Sequence, residues 1–162
     1  MGRIISTETK PLALVDSNIL IYALNIDYSD QKCHEKCLEL LEKGLKRQLN
    51  YTLALNPIVT VEVFAALRKI LGCNVAESRI SNLLQSRRLG YISISREACQ
   101  IGVKWAKEHN IPVNDALIAA SAAESAPTIY TTDEHFKKLQ THKLTIINPA
   151  TANPLSDESV KT

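Results

Sequence analysis

The chain is poor in aromatic residues and has no long apolar run. Aromatic residues make up 5% of its 162 residues, which argues against an extended surface for stacking nucleic-acid bases. No apolar run approaches the roughly 20 residues that a membrane-spanning helix needs, and no signal-peptide region precedes the first apolar segment. We therefore expect a cytoplasmic protein that is neither exported nor embedded in a membrane.

Cysteine and net charge are low as well. The 19 basic and 17 acidic residues give a net charge of +2, which says little about partners. The four cysteines lie in periodic apolar segments rather than in a spaced framework, so they are predicted to be buried, reduced thiols. Cys33, His34 and Cys37 resemble half of a zinc clip, but no second ligand pair with zinc-like spacing follows. The four cysteines are Cys33, Cys37, Cys73 and Cys99.

Short apolar runs alternate with longer amphipathic segments, and this order is typical of a single α/β domain. Such a pattern favours a mostly parallel sheet that helices cover on both faces, with the first strand at its centre. We expect a lead-in over residues 1–11, a domain over residues 12–149 and a polar, flexible tail over residues 150–162. Strands are predicted at residues 12–15, 51–55, 91–94, 128–131 and 144–147, and helices at residues 17–23, 32–47, 60–71, 73–88, 95–109, 116–123 and 133–139.

Four acids, widely separated in the chain, stand near the ends of predicted strands or the starts of predicted helices. Ligands of parallel sheets bind beyond the carboxyl ends of the strands, where Asp16 and Asp133 fall. Clustered carboxylates repel one another unless a cation or a proton compensates, and oxygen ligands suit Mg²⁺ or Mn²⁺. The pattern therefore predicts one acidic metal site formed by Asp16, Glu62, Asp115 and Asp133.

Each acid also has an ordinary structural explanation. Aspartate caps helices and favours their first turns, which accounts for Asp115 or Asp133 taken singly. Glu62 shares a helix face with Lys69, so an ion pair with Lys69 or another cation is its ordinary explanation. Asp16 is harder to explain in this way, because an unpaired carboxylate at the end of a central strand is costly.

The sequence contains no glycine-rich phosphate loop, dinucleotide fingerprint or serine or cysteine nucleophile motif. A metal held by carboxylates can acidify a water, orient it for in-line attack on a phosphodiester and neutralise developing charge. A haloacid-dehalogenase-like phosphatase needs a second aspartate two places after Asp16, where Asn18 stands, and a receiver domain needs an acidic pair where residues 1–15 offer only Glu8. The four acids therefore favour metal-assisted hydrolysis.

Four segments and the chain's INP at residues 147–149 resemble, in the right order, the successive motifs of a PIN domain. The segments are VDSNILIYAL (residues 15–24), NPIVTVEVFAALRK (residues 56–69), NDALIAASA (residues 114–122) and TTDEHFKKL (residues 131–139). The resemblance covers residues 12–149 and implies a three-layer α/β/α sandwich whose acids bind Mg²⁺ or Mn²⁺ and cut RNA. It maps the catalytic and metal-binding roles onto Asp16, Glu62, Asp115 and Asp133.

The compact length is similar to that of VapC-type toxin ribonucleases, which are encoded beside an antitoxin and are commonly dimers. The resemblance therefore implies an RNA substrate, a homodimer and an antitoxin partner. It also implies supporting roles for Asn18 and for Thr131 or Thr132 through their side-chain oxygens, although local capping explains them equally well. Because some PIN domains bind without cutting, a non-cleaving RNA-binding or regulatory module is the alternative.

Within the predicted pocket we expect Asp16, Asp115 and Glu62 to hold the principal metal. Asp133 is expected to support this metal or a second one and to orient the attacking water. Cations around the pocket are expected to contact RNA phosphates. The candidates are Arg68, Lys69, Arg87, Arg88, Lys137 and Lys138.

Overall fold

Five parallel strands form one sheet within residues 9–151, the part of the chain that the computed structural model describes. Their order is β3-β2-β1-β4-β5, and every neighbouring pair is parallel. The prediction of a mostly parallel sheet with its first strand in the centre is therefore confirmed. The strands are β1 (Leu12–Val15), β2 (Thr52–Leu55), β3 (Gly90–Tyr91), β4 (Thr128–Tyr130) and β5 (Thr145–Ile147).

The helices connect these strands and cover both faces of the sheet. The chain runs from β1 outward to β3 and then returns across the sheet to β4, so right-handed crossovers place the helices before and after β3 on opposite faces. The predicted three-layer α/β/α architecture is confirmed. The helices are α1 (Ser17–Leu24), α2 (Gln31–Leu45), α3 (Pro57–Leu71), α4 (Cys73–Gln85), α5 (Arg96–His109), α6 (Val113–Ser125) and a 3₁₀ helix (Glu134–His142).

Burial on both faces explains the apolar character of the central strands. Ala13, Leu14 and Val15 of β1 are almost completely buried, because helices lie above and below them. Helix α6 is also an interior element, and its small side chains let it lie close to its neighbours. Its fully buried alanines are Ala116, Ala119, Ala120 and Ala122.

Some element boundaries differ from the prediction. Helix α3 begins at Pro57 rather than at residue 60, because the side chain of Asn56 accepts a hydrogen bond from the Val59 amide (2.8 Å) and so caps the helix. Helix α4 ends at Gln85 rather than at residue 88, since the backbone of Ser86 is already extended. The last predicted helix is the longer 3₁₀ helix, which Asp133 caps as expected.

The prediction of four buried thiols is correct for Cys33 and Cys37 and wrong for Cys73 and Cys99, which are exposed. Helix α5 buries Ala98, and Cys99 is turned about 100° away on the next position. All four thiols are free, and burial raises the pKa of Cys37 to about 12. His34 contacts the backbone carbonyl oxygen of Tyr22 through Nδ1 (2.7 Å), so its ring helps to attach α2 to α1.

No helix between residues 9 and 151 is both long and apolar enough to cross a bilayer. Residues 1–8 of the predicted lead-in and residues 152–162 of the predicted tail lie outside the described residues. The domain boundaries at residues 12 and 149 therefore stay predictions.

Helix α5 contacts α6 through a glycine that leaves no room for a side chain. A Cβ at Gly102 would lie 2.6 Å from Leu117 Cδ2 and 3.0 Å from Leu117 Cα. The second contact involves backbone, so relief requires α5 and α6 to move apart. Alanine gains about 1 kcal/mol of helix propensity over glycine, whereas overpacking costs about 1–3 kcal/mol. Because backbone must move, we expect an overpacking cost in the upper part of this range, so Gly102→Ala should lower the free energy of unfolding by about 1–2 kcal/mol, measured by urea denaturation.

Val103→Ala is the matched control, because Val103 lies on the same helix with 61% of its surface exposed. Its free energy of unfolding is expected to stay within about 0.5 kcal/mol of wild type. Wild-type stability in Gly102→Ala would show that the two helices do not need this close approach.

Candidate active site

A crevice lies at the carboxyl edge of the sheet, between the ends of β1 and β4. The strand order reverses at this point, because the chain leaves β1 toward β2 and returns on the other side as β4. Asp16 follows β1 directly, and its amide donates to the Tyr130 carbonyl oxygen at the end of β4 (2.9 Å). Helix α3 and the first turn of α6 contribute the other helical acids. The structure thus brings together Asp16, Glu62, Asp115 and Asp133.

Asp16 is the most deeply buried of the four acids, with 2% of its surface exposed. Its Oδ1 accepts a hydrogen bond from the Ser17 amide (2.8 Å), and its Oδ2 accepts one from Thr131 Oγ1 (2.7 Å). Burial raises the pKa of Asp16 to about 6, the hydrogen bonds from Thr131 and Ser17 oppose this rise, and repulsion from Glu62 and Asp133 adds to it. The carboxylate is therefore fixed in place but carries an electrostatic penalty when it is charged.

Glu62 has one carboxylate oxygen that is bonded and one that is not. Ser17 Oγ donates to Glu62 Oε2 (3.1 Å), while Oε1 is buried and has no hydrogen-bond partner. Burial raises the pKa of Glu62, and the bond from Ser17 opposes that rise. The ordinary explanation by an ion pair with Lys69 is wrong, since the ion pairs among residues 9–151 do not include this one. A buried carboxylate oxygen without a partner is costly and fits a cation at this position.

Asp115 and Asp133 lie on either side of a histidine. His135 Nδ1 is 3.5 Å from Asp115 Oδ2 and 3.2 Å from Asp133 Oδ1. One ligand atom from each of these three residues lies within 4.8 Å of the other two. The pKa of Asp115 rises to about 7, chiefly through burial and then through repulsion from Asp133, Asp16 and Glu62, while His135 lowers it. The four carboxylates therefore form one electrostatically coupled group.

Two residues that the sequence prediction missed support this group directly. Ser17 joins Asp16 to Glu62, and His135 joins Asp115 to Asp133. Both stand inside the family motifs, next to or two places after a predicted acid. A histidine so close to a candidate metal ligand is the signal that would have identified His135.

Asn56 is a third missed residue, and its role is to position two helices. It is fully buried, and its Nδ2 donates to Ser121 Oγ of α6 (3.0 Å) while its Oδ1 caps α3. These bonds join the helix that carries Glu62 to the helix that carries Asp115. The asparagine immediately before Pro57 is the only sequence signal of this role, as a cap of α3.

The predicted supporting residues occupy three different environments. Thr131 is buried and contacts the acids, because its Oγ1 donates to Asp16 and accepts from the Asp133 amide (3.0 Å). The side chain of Thr132 instead interacts with Tyr22 of α1. Asn18 is half-buried in the first turn of α1. Of the three, Thr131 has the contacts expected of a supporting residue.

The six predicted RNA-contacting cations are all exposed, but they do not surround the pocket evenly. Lys137 and Lys138 belong to the 3₁₀ helix that follows Asp133. Arg68 is six positions beyond Glu62, which is about 9 Å along α3, and Lys69 is next to it. Arg87 and Arg88 precede β3 and so lie at the opposite edge of this parallel sheet. Lys137 forms an ion pair with Glu134 (2.6 Å), and Lys138 Nζ lies 3.5 Å from the His109 carbonyl oxygen at the end of α5. Contact with RNA stays a prediction for all six residues.

Beside Glu62 lies an open cleft of about 290 Å³. Its walls are mainly apolar, and Asn114, one residue before Asp115, adds a second polar group. A cleft of this size and composition can accept a planar or sugar-like group next to the acids. It is lined by Pro57, Ile58, Val61, Glu62 and Asn114.

Several solved structures are similar to this chain. A chain of VapBC2 from Rickettsia felis bound to a promoter DNA fragment is 26% identical, with 85% of this chain and 98% of that chain covered and a TM-score of 0.59. A chain of a toxin–antitoxin complex from Klebsiella pneumoniae is 21% identical, with coverages of 85% and 97% and a TM-score of 0.59. Mycobacterium tuberculosis VapC20, described as a toxin that cleaves the sarcin–ricin loop, is 14% identical, with coverages of 78% and 94% and a TM-score of 0.66.

Sequence comparison points to the same family. No curated protein sequence matches the chain significantly. The PIN domain model matches residues 13–141. This range includes the four acids and the whole of strands β2, β3 and β4. Since this match spans most of the 162 residues, the chain belongs to the PIN domain family.

Proposed function

We propose that the protein is a metal-dependent endoribonuclease that hydrolyses RNA phosphodiester bonds at the acidic crevice. The observation that carries this proposal is the buried, unpartnered Glu62 Oε1 within a group of coupled carboxylates. Such a group is costly without a cation, and its oxygen donors suit Mg²⁺ or Mn²⁺. In this proposal Asp16, Glu62 and Asp115 hold the ion, and Asp133 supports it or a second ion.

The bound ion would supply an acidified water and neutralise charge on the attacking and leaving oxygens. The residues of the chain hold the geometry for this chemistry. Ser17 and Thr131 fix the orientation of the Asp16 carboxylate, and Ser17 also fixes one oxygen of Glu62. Asp133 is less buried than Asp16, so it is the acid best placed to orient water at the mouth of the crevice.

The surroundings of the acids favour a nucleic-acid substrate. An open cleft beside Glu62 adjoins the acids, and the exposed Lys137 and Lys138 add positive charge on the 3₁₀ helix that follows Asp133, where Lys137 is paired with Glu134 (2.6 Å). The described cleavage of the sarcin–ricin loop by VapC20, a protein of the same fold, supports RNA as the substrate. The second candidate is a non-cleaving RNA-binding or regulatory module, but it does not explain why a buried oxygen of Glu62 has no hydrogen-bond partner.

The structural relatives support a VapC-type toxin role for this chain. Two of them come from toxin–antitoxin complexes, and the Rickettsia chain is 26% identical over nearly its whole length. We infer that an antitoxin protein binds this chain and inhibits it in the cytoplasm. Homodimerisation stays a prediction from the family resemblance.

Incubation of the purified protein with a mixed RNA pool tests the enzymatic proposal. Cleavage is expected with Mg²⁺ or Mn²⁺. EDTA is expected to lower the cleavage rate at least 100-fold, because the carboxylates alone do not activate water. Removal of a catalytic group typically lowers a rate by a factor on the order of 100 or more. Addition of excess Mg²⁺ after EDTA should restore the rate. Undiminished cleavage in EDTA would contradict metal dependence, and RNA binding without any cleavage would favour the non-cleaving module.

A further inference from the structure

Three metal-ligating side chains meet outside the acidic crevice, where α5 and the 3₁₀ helix end. Glu108 and His109 close α5, and His142 closes the 3₁₀ helix. One ligand atom from each residue lies within 4.8 Å of the other two, and Nε2 of His109 is 2.8 Å from Nε2 of His142. We propose that these residues form a second metal site, which binds a late first-row divalent ion of the class of Zn²⁺, Ni²⁺ and Cu²⁺.

The donor set is richer in imidazole than that of the acidic crevice, because it has two histidines and one carboxylate where the crevice groups four carboxylates around His135. Imidazole nitrogen suits Zn²⁺, Ni²⁺ and Cu²⁺, whereas Mg²⁺ prefers oxygen ligands throughout. Two ring nitrogens at about 2.0–2.1 Å from one ion lie about 2.9 Å apart in a square or octahedral site and about 3.4 Å apart in a tetrahedral one. The two Nε2 atoms, 2.8 Å apart, are already close to the separation in a square or octahedral site. Moving them about 0.6 Å further apart would give the separation in a tetrahedral site.

The histidines are held in position by neighbouring rings. The His142 ring stacks on Trp105, with 4.1 Å between centroids and an interplanar angle of 16°. Trp105 is largely buried, so it gives His142 a fixed support. The His109 ring meets the edge of His142 at 84°. Without an ion, the short Nε2 contact is one N–H···N hydrogen bond, and it uses the same lone pair that an ion would take.

Glu108 can supply the third ligand of this site. Its present partner is Lys104, with 3.7 Å between Lys104 Nζ and Glu108 Oε1, and both side chains are substantially exposed. Such surface pairs contribute little, so an ion at the histidines can displace Lys104. Three protein ligands would leave further positions for water. The bound ion would connect α5 to the 3₁₀ helix that Asp133 caps, and it would stabilise the folded chain by mass action.

Titration of the untagged, full-length protein with Ni²⁺ tests this site. A reducing agent is present, excess Mg²⁺ lowers the binding of Ni²⁺ by the carboxylates of the crevice, and the His135→Gln variant below measures any binding that remains there. Ni²⁺ is the probe because thiolates such as those of Cys73 and Cys99 select Zn²⁺ more strongly. Calorimetry is expected to show one ion per chain with a dissociation constant in the micromolar range, and the thermal midpoint is expected to rise with Ni²⁺.

His142→Gln is expected to weaken Ni²⁺ binding at least tenfold, and Glu108→Gln several-fold. His142 also packs on Trp105, so its replacement can disturb the fold. Glu108 is exposed, so Glu108→Gln is the variant expected to disturb the fold least. His135→Gln is the matched control, since His135 belongs to the acidic group, and it should bind Ni²⁺ as wild type does.

Absence of one-to-one Ni²⁺ binding to the wild type would overturn the proposal. Equal binding by the wild type and His142→Gln would overturn it as well. Both outcomes are independent of RNA cleavage, because the measured quantity is binding of the ion itself at residues that the proposed nuclease mechanism does not use.

Discussion

Replacement of Asp16 by Asn is expected to reduce RNA cleavage at least 100-fold while the fold stays intact. Asp16 is the acid at which the central strand ends, and it is buried with both oxygens fixed by hydrogen bonds. Asparagine has the same shape and can still accept from the Ser17 amide, and the Thr131 hydroxyl can rotate to accept from its NH₂ group. The variant therefore removes the negative charge and little else. Loss of a group that acts in the chemical step typically lowers the rate about 10²–10⁴-fold.

Asp27→Asn is the matched control for this variant. Asp27 is exposed in the loop after α1, and its side chain takes no part in the hydrogen bonds described for the four acids, so the cleavage rate of this variant should equal that of wild type. Circular dichroism and thermal unfolding of both variants establish that the fold is kept. Full activity of a clean Asp16→Asn preparation would show that the chemistry lies elsewhere in the chain.

The central part of the site was predictable because strand ends are encoded locally. An apolar run that stops at Asp16, and another that stops near Thr131 and Asp133, mark the carboxyl ends of two buried strands. Parallel strands share one carboxyl edge, so these residues had to lie together once the strands were recognised. The central position of β1 followed from the same apolar pattern.

The residues that support the acids could not be predicted from the sequence in the same way. Which oxygen of Glu62 remains unpartnered depends on the direction of Ser17 Oγ across 45 positions of the chain. The contact of His135 with Asp115 requires the orientation of α6 relative to the 3₁₀ helix. Spacing predicts that a helix forms, but the angle at which two helices meet depends on side chains from both.

The third strand is shorter than predicted, because its length depends on the neighbouring strand β2. Residues 91–94 alternate as a strand should, but only Gly90 and Tyr91 pair, opposite Ala54 and Leu55. Strand β2 ends at Leu55, so the ladder cannot extend further, and the chain continues toward the Ser95 cap of α5. Strand length is therefore a property of the pair of strands and not of one segment.

Asp115→Asn is expected to stabilise the metal-free protein at pH 8. The ordinary pKa of this carboxyl is 3.8, and in the folded chain burial and repulsion from Asp133, Asp16 and Glu62 raise it to about 7. Between these pH values the folded state retains a proton that the unfolded state has released. The resulting stabilisation is complete below about pH 4 and is lost as the pH rises through about 7.

At pH 8 the folded wild type therefore holds a charged Asp115 that its surroundings disfavour. Its side chain is only 14% exposed, so solvent screens this penalty weakly. Asparagine is neutral at every pH, and its gain in the free energy of unfolding at pH 8 is expected to be on the order of 1–3 kcal/mol, which is a rise of several degrees in Tm. At pH 4 the two proteins should differ much less, because Asp115 is then protonated when folded and about half protonated when unfolded.

Thermal unfolding in EDTA at pH 4 and pH 8 measures this difference, with Asp27→Asn as the exposed control that should change little at either pH. Added Mg²⁺ or Mn²⁺ should reverse the order at pH 8, because the ion stabilises only the protein that keeps its ligand. An Asp115→Asn protein that is less stable than wild type at pH 8 in EDTA would mean that the carboxylates are already compensated within the chain. The expected reversal instead requires that the acids destabilise the empty fold and that a cation offsets their repulsion.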